Sequence, residues 1–226
     1  MKRNILAISL LLMAILFTGC HKGIELTGSD KVNQDNIFQQ YATVYDADAQ
    51  KMTAIATFRL DQPSGKLLRL VSGSKVEVAG QKMEMNDEGK YEFSFEQFGR
   101  KTHFTYVNNN KETFNNELIT NTIEFNQETI ALSKSDKVTF AIKAEAFEDA
   151  ETVSCQLASD GETVEVEVAV EAGRIVVEPD FLETIQPGTY TARLIRKGYS
   201  NRVNAKARGG VWESKYISKS KKITIQ

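Results

Sequence analysis

Apolar and polar residues alternate along much of the chain with a period of two. In segments 52–60 and 138–146 nearly every second residue is apolar, and segment 164–170 alternates valine with glutamate or alanine. Because successive side chains of a strand point to opposite faces, this pattern predicts β-strands with one buried face. Turn-forming sequences such as PSG at 63–65 and PG at 187–188 separate these runs, and no segment shows a convincing amphipathic helix. The pattern predicts an all-β sandwich.

Two segments indicate what kind of sandwich this is. In NDEGKYEFSF and IQPGTYTARL a glycine stands two residues before a tyrosine, Tyr91 or Tyr190, and an alternating strand follows. This arrangement resembles the tyrosine corner of immunoglobulin and fibronectin type III domains, where the tyrosine hydroxyl turns back to the backbone of the preceding corner. Phe93 and Ala192 occupy the place of the cysteine found in antibody domains. The resemblance implies strands held together by hydrophobic packing.

The spacing of the two tyrosines suggests a tandem arrangement. They are 99 residues apart, which is about the length of one immunoglobulin-like domain. We therefore predict two tandem immunoglobulin-like β-sandwiches, at 37–122 and 123–226. A single long sandwich is the alternative.

The N-terminus has the features of an export signal. Lys2 and Arg3 precede a short apolar run that is too short to span a bilayer, and the run ends in FTGC. The motif resembles the lipobox of bacterial lipoproteins, which implies cleavage after residue 19, acylation of Cys20 and a lipid anchor in the cell envelope (the outer membrane in a Gram-negative cell), facing the periplasm or the outside. An ordinary secretory peptide is the alternative. The polar residues 20–36 show no sustained period, which predicts a flexible stalk.

Composition argues against nucleic-acid binding and against a disulfide framework. Removal of residues 1–19 leaves 26 basic against 30 acidic residues, without the basic excess of a nucleic-acid-binding protein. Cys155 is then the sole cysteine besides Cys20, so an intramolecular disulfide framework is not expected.

Few residues suggest catalysis or metal binding. His103 lacks a nucleophile motif and is interpreted as an exposed strand residue, and Cys155 as an inert core thiol. Asp46 and Asp48 could offer oxygen atoms to calcium but lack the further carboxylates of an EF-hand, so a solvated turn is the preferred interpretation. We expect no cofactor, no metal and no enzymatic activity. An envelope hydrolase that uses carboxylates is the alternative.

Charge is segregated in the C-terminal half. Residues 145–183 contain twelve acidic side chains and one basic one, whereas residues 193–226 contain ten basic side chains and one acidic one. Either the two segments pair across a sheet, or the basic one forms a face for an anionic glycan or another envelope protein. The second interpretation predicts a ligand-binding site at Trp212, Arg208, Lys215, Lys221 and Lys222, with the aromatic ring stacking on a sugar. The preferred alternative for Trp212 is a ring that caps a core. The sequence thus predicts a lipid-anchored binding, adhesion or structural module.

Overall fold

The computed structural model describes residues 25–127, 130–132, 138–148, 150–159 and 161–226. The predicted signal peptide and Cys20 lie outside the described residues. Nearly all regular structure is β-strand, and the α-helix among the described residues, α1, is the short segment Pro179–Glu183. The prediction of an all-β sandwich is confirmed, whereas the tandem of two immunoglobulin-like domains stays a prediction.

The strands are short in the periphery and long in the centre. In chain order they are β1 (Thr27–Gly28), β2 (Ile37–Asp46), β3 (Lys51–Leu60), β4 (Leu68–Arg69), β5 (Lys75–Val78), β6 (Gln81–Lys82), β7 (Glu84–Met85), β8 (Tyr91–Phe95), β9 (Lys101–Val107), β10 (Thr113–Ile119), β11 (Ile123–Phe125), β12 (Ile130–Leu132), β13 (Val138–Ala144), β14 (Glu151–Ser159), β15 (Glu162–Glu167), β16 (Ala169–Glu171), β17 (Arg174–Val177), β18 (Gly188–Ser200), β19 (Gly210–Ile217) and β20 (Lys221–Ile225).

One long sheet runs through the molecule in the order β12, β20, β18, β19, β2, β3, β8, β7, and β14 and β15 extend it from the other edge of β18. Its centre is a parallel pairing of β19 with β2, in register from Gly210 opposite Gln39 to Ile217 opposite Asp46. We call this pairing the seam. It joins the first half of the chain (residues 25–122) to the second half (residues 123–226).

Two further sheets cover the same side of the long sheet. The sheet β10–β9–β5–β6 encloses a core with the first half, in which the ring centroids of Tyr41 and Phe104 are 4.9 Å apart. The sheet β11–β13–β17–β16 encloses a second core around Phe140, Ile175 and Leu194. The cores follow the predicted boundary at 122–123 with a few exceptions. Ala47, Tyr45 and Phe98 belong to or pack against the second core, and Val203 and Trp212 pack against the first. Two cores therefore share one sheet.

The predicted strands differ in how well their faces match expectation. In β3 the even residues Met52, Ala54, Ala56 and Phe58 are all buried, as the alternation predicts. The valine-rich segment is interrupted at Val168, and Val164 is 42% exposed. Val164 lies in β15 at an edge of the long sheet and lines an open hollow with Leu157, Ile185 and Tyr190.

Residues 27–36 are not part of a flexible stalk, contrary to our prediction. Strand β1 pairs in parallel with β4, and two 3₁₀ turns follow, Ser29–Lys31 and Gln34–Asn36. Ser29 is fully buried, and the Gln34 amide donates to its carbonyl oxygen at 2.7 Å. The segment has no alternation because its polar side chains satisfy the backbone locally, which sequence periodicity does not detect.

The two predicted tyrosine corners differ. The Tyr190 hydroxyl donates to the Gln186 carbonyl oxygen at 2.7 Å, four residues upstream, as in a tyrosine corner. The Tyr91 hydroxyl instead accepts a hydrogen bond of 2.7 Å from the backbone N–H of Leu70. Tyr91 is buried whereas Tyr190 is half-buried. The shared GxY pattern therefore produces two different contacts.

A buried ion pair fixes the junction between the halves. The Arg196 side chain is 1% exposed and binds both carboxylate oxygens of Glu151, at 3.1 and 2.6 Å. Its remaining N–H groups donate to the carbonyl oxygens of Thr122, Glu145 and Ala146, at 3.0, 3.1 and 2.7 Å. All five donors of the guanidinium are thus used. We call this set of contacts the Arg196 clamp.

The clamp also sets the protonation of Glu151. Burial by itself would raise the pKa of this carboxyl, but hydrogen bonds from Arg196, the Glu148 N–H and Asn121 outweigh that effect and hold the pKa below its ordinary value. Because the pKa is lower in the folded than in the unfolded protein, the carboxylate stabilises the fold at neutral pH. This stabilisation is lost as the pH falls from the ordinary value through the folded one.

We expect Arg196→Met to lower the free energy of unfolding by about 3–5 kcal/mol, because it leaves the Glu151 carboxylate buried without its partner. Urea unfolding followed by circular dichroism measures the change. Lys197→Met is the matched control: this lysine is adjacent but exposed, so we expect a loss of at most about 1 kcal/mol. Equal losses in the two variants would contradict the role given to the clamp.

Separate fragments 25–122 and 123–226 should be much less stable than the intact chain. Each would expose one strand of the seam, and an open edge with unpaired N–H and C=O groups promotes association. Size-exclusion chromatography and thermal unfolding of the two fragments test this. Two monomeric fragments that melt at the temperature of the whole protein would show that the halves are independent.

Candidate functional site

Two adjoining hollows lie where β18 and β19 meet in the long sheet. They share Tyr199 and Ala150 as lining residues. Tyr199 is 49% exposed, which is high for an aromatic side chain in the central part of a sheet. The pair of hollows is the candidate site.

The first hollow, which we call the sheet hollow, has a volume of about 460 Å³. Cross-strand partners form two rows on one face of the sheet. One row joins Ala42, Glu213 and Tyr199, and the next joins Val44, Lys215 and Lys197. Both halves of the chain contribute to this surface, because β2 supplies the apolar side chains and β18 and β19 supply the charged and aromatic ones.

The second hollow, which we call the Trp212 hollow, has a volume of about 730 Å³. Trp212 lies opposite Ser200 in β18 and Tyr41 in β2, and it is half-buried against the core of the first half. The inner edge of the indole ring therefore packs against this core, and the rest of the ring lines the hollow. The other lining residues are mostly polar: Glu148, Ala150, Tyr199, Ser200, Asn201 and Arg202.

The sheet hollow has an uneven distribution of charge. The Lys197 ammonium binds the Glu165 carboxylate at 3.0 Å, and Glu165 also accepts from the Ser154 hydroxyl at 2.7 Å. These two hydrogen bonds, together with the nearby charge of Lys215, lower the pKa of Glu165. Within the described residues, Lys215 has no acidic group within 4.0 Å.

The structure does not gather the five predicted binding residues into one site. Trp212 and Lys215 line the two hollows, whereas Arg208 binds the Asp61 carboxylate at 3.3 Å. Lys221 and Lys222 lie in β20 opposite Ala192 and Thr191. Since Trp212 pairs with Ser200, nine residues further along β18, Lys222 is separated from it by about 30 Å of strand.

The basic segment pairs with acidic residues from both halves. Arg196 and Lys197 bind Glu151 and Glu165 of the acidic segment, as cross-sheet pairing predicts. Other basic residues find partners in the first half: Arg193 with Asp46 and Asp48, Lys206 with Asp35 and Glu112, and Arg208 with Asp61. Charge segregation within the sequence therefore reflects contacts made across the seam as well as within the second half.

The remaining residues that the sequence offered for catalysis or metal binding make ordinary structural contacts. His103 is exposed on β9, with its Nε2 3.4 Å from the Glu117 carboxylate. Burial raises the pKa of the Cys155 thiol to about 12, which keeps it protonated at neutral pH. The carboxylates of Asp46 and Asp48 bind Arg193 and backbone N–H groups. In the described ranges, no three histidine, cysteine or acidic side chains are grouped closely enough to hold a metal ion.

Sequence analysis missed Tyr199. An aromatic residue in an alternating strand is usually assigned to the core. The available signal was its phase: Ala192 and Leu194 occupy the core face of β18, so the odd-numbered Tyr199 points to the opposite face. Glu213 and Val44 were missed because the pairing of their strands is not visible in the sequence.

The chain matches no protein-family model and shows no significant similarity to a curated protein. Of the helices formed by the described residues, none has the length and apolar character needed to cross a bilayer. The function is therefore inferred from the fold and from the surface around Tyr199.

Proposed function

We propose that this protein is a lipid-anchored protein of the bacterial envelope that binds glycans without transforming them, through the surface formed by Tyr199 and Trp212. The observation that carries this proposal is the pair of open hollows that share an exposed tyrosine, with a tryptophan lining one of them. The rings lie on opposite faces of the sheet, because Tyr199 shares a row with Ala42 whereas Trp212 shares one with the buried Tyr41. Each ring therefore provides its own stacking surface for a sugar.

The polar groups of the Trp212 hollow suit a ligand rich in hydroxyls. Asn201 and Glu148 are exposed and offer oxygen acceptors, Asn201 also offers amide donors, and Arg202 offers guanidinium donors. An apolar platform surrounded by a few polar groups is typical of small-molecule binding sites. Sugars present both an apolar face and hydroxyl groups, and this combination favours them over purely apolar ligands.

A carboxylate-dependent hydrolase is less well supported. Such an enzyme needs two carboxyl groups about 5–9.5 Å apart on either side of one glycosidic bond. In this surface Glu148 and Glu213 line different hollows. Both hollows are open, which suits binding of a polymer better than exclusion of water from a reacting bond.

The anchor proposal rests on the FTGC sequence, and the fold adds a geometric consequence. Residues from Thr27 onward are packed, so few residues remain between Cys20 and the folded body. Seven steps of the chain from Cys20 to Thr27 reach at most about 25 Å. The proposal therefore implies that the N-terminal end of the folded body is held close to the membrane.

Cys20→Ala should abolish acylation and release the protein from the membrane, because each buried acyl methylene contributes about 0.8 kcal/mol to membrane binding. Membrane fractionation and mass spectrometry of the N-terminal peptide measure the effect, with Cys155→Ala as the control. A processed Cys20→Ala protein that still sediments with membranes would contradict the lipid anchor.

Tyr199→Ala should weaken glycan binding about tenfold, because it removes the ring that both hollows share. Glycan-array screening of the soluble chain identifies a ligand, and calorimetric titration measures affinity. Tyr199→Phe keeps the ring and should retain most of the binding, and Lys222→Ala, about 30 Å of strand away, should retain all of it. Unchanged affinity in Tyr199→Ala would place the ligand elsewhere.

A further inference from the structure

We infer that the ligand is an acidic glycan, with one negatively charged sugar unit bound in the sheet hollow. This inference rests on the proposed function, since it assigns a charge to the ligand of the same surface. It depends on the arrangement of Lys197 and Lys215.

The two lysines are direct cross-strand partners on the same face of the sheet. Like charges at such positions repel each other and destabilise a sheet. An acidic residue opposite a lysine would instead stabilise the pair. Here the nearby acid Glu165 is hydrogen bonded to Lys197 and Ser154, so the ammonium of Lys215 is left without an ion pair in the described part of the chain.

Glu213 does not compensate for Lys215. It lies two residues away along β19, in the row that contains Ala42 and Tyr199, at a distance of about 7 Å between Cα atoms. No contact within 4.0 Å joins the two side chains. The hollow therefore has a positive end at Lys215 and an acceptor end at Glu213, beside the aromatic ring.

A uronic acid or another acidic sugar matches these groups. Its carboxylate accepts charge-assisted hydrogen bonds from Lys215, and its hydroxyls donate to Glu213. Its apolar face packs on Tyr199 and on the small apolar surface of Ala42 and Val44. Since Lys215 is half-buried, the ion pair forms in a partly desolvated place, where it is stronger than on an open surface.

The test uses the soluble chain, residues 21–226, with short oligouronates of the galacturonate and mannuronate types and their carboxyl-reduced, neutral counterparts. We expect the acidic oligomers to bind about tenfold more tightly than the neutral ones, and the difference to shrink with added salt. Lys215→Met should remove this preference, so that acidic and neutral oligomers bind the variant equally. Lys222→Met makes the same change of charge in β20 and should leave the preference intact.

The outcomes separate this inference from the proposed function. If neutral oligomers bind as well as acidic ones and Lys215→Met has no effect, the charge assignment is wrong while glycan binding stands. If no acidic or neutral oligomer binds, both the inference and the proposed function fail for this surface. If polyglutamate competes as well as an oligouronate of equal charge, the site recognises charge alone, and the assignment to an acidic glycan is overturned.

Discussion

The Arg196 clamp is the contact on which the arrangement of the two halves depends. A guanidinium buried this deeply is tolerated only because a carboxylate and three carbonyl oxygens receive all of its donors. One of these carbonyls belongs to Thr122, where the chain passes from the first half to the second. The clamp thereby fixes the connecting segment against β14 and β18 at the same point.

The seam and the clamp together create the candidate site. The clamp holds β18, and β18 positions β19 through antiparallel pairing, so that β19 can complete the sheet beside β2. The inner face of the long sheet is used by two cores, each covered by a smaller sheet. Its outer face is uncovered at the seam, and there Ala42 and Val44 meet Lys215 and Tyr199. A ligand in the sheet hollow would contact strands from both halves.

Sequence periodicity predicted which residues face inward far better than which strands are neighbours. The buried face of β3 and the tyrosine corner at Tyr190 follow from local spacing alone, and both are present. The seam pairs residues some 170 positions apart, and a period of two contains no information about such partners. For the same reason Trp212 and Lys215 could be identified as candidates, whereas their separation from Lys221 and Lys222 could not.

Two interpretations of the segregated charge were considered, pairing across a sheet and a ligand-binding face, and they do not exclude each other. Arg193, Lys206 and Arg208 have acidic partners in the first half, so these basic residues help to hold the seam together. Lys215 has the same sign and belongs to the same segment, yet it faces the open side of the sheet beside another lysine. Its repulsion from Lys197 opposes folding, and the attraction of its charge to Glu165 offsets part of that repulsion. The proposed acidic ligand would supply a carboxylate to Lys215, which has no ion pair within 4.0 Å in the described part of the chain.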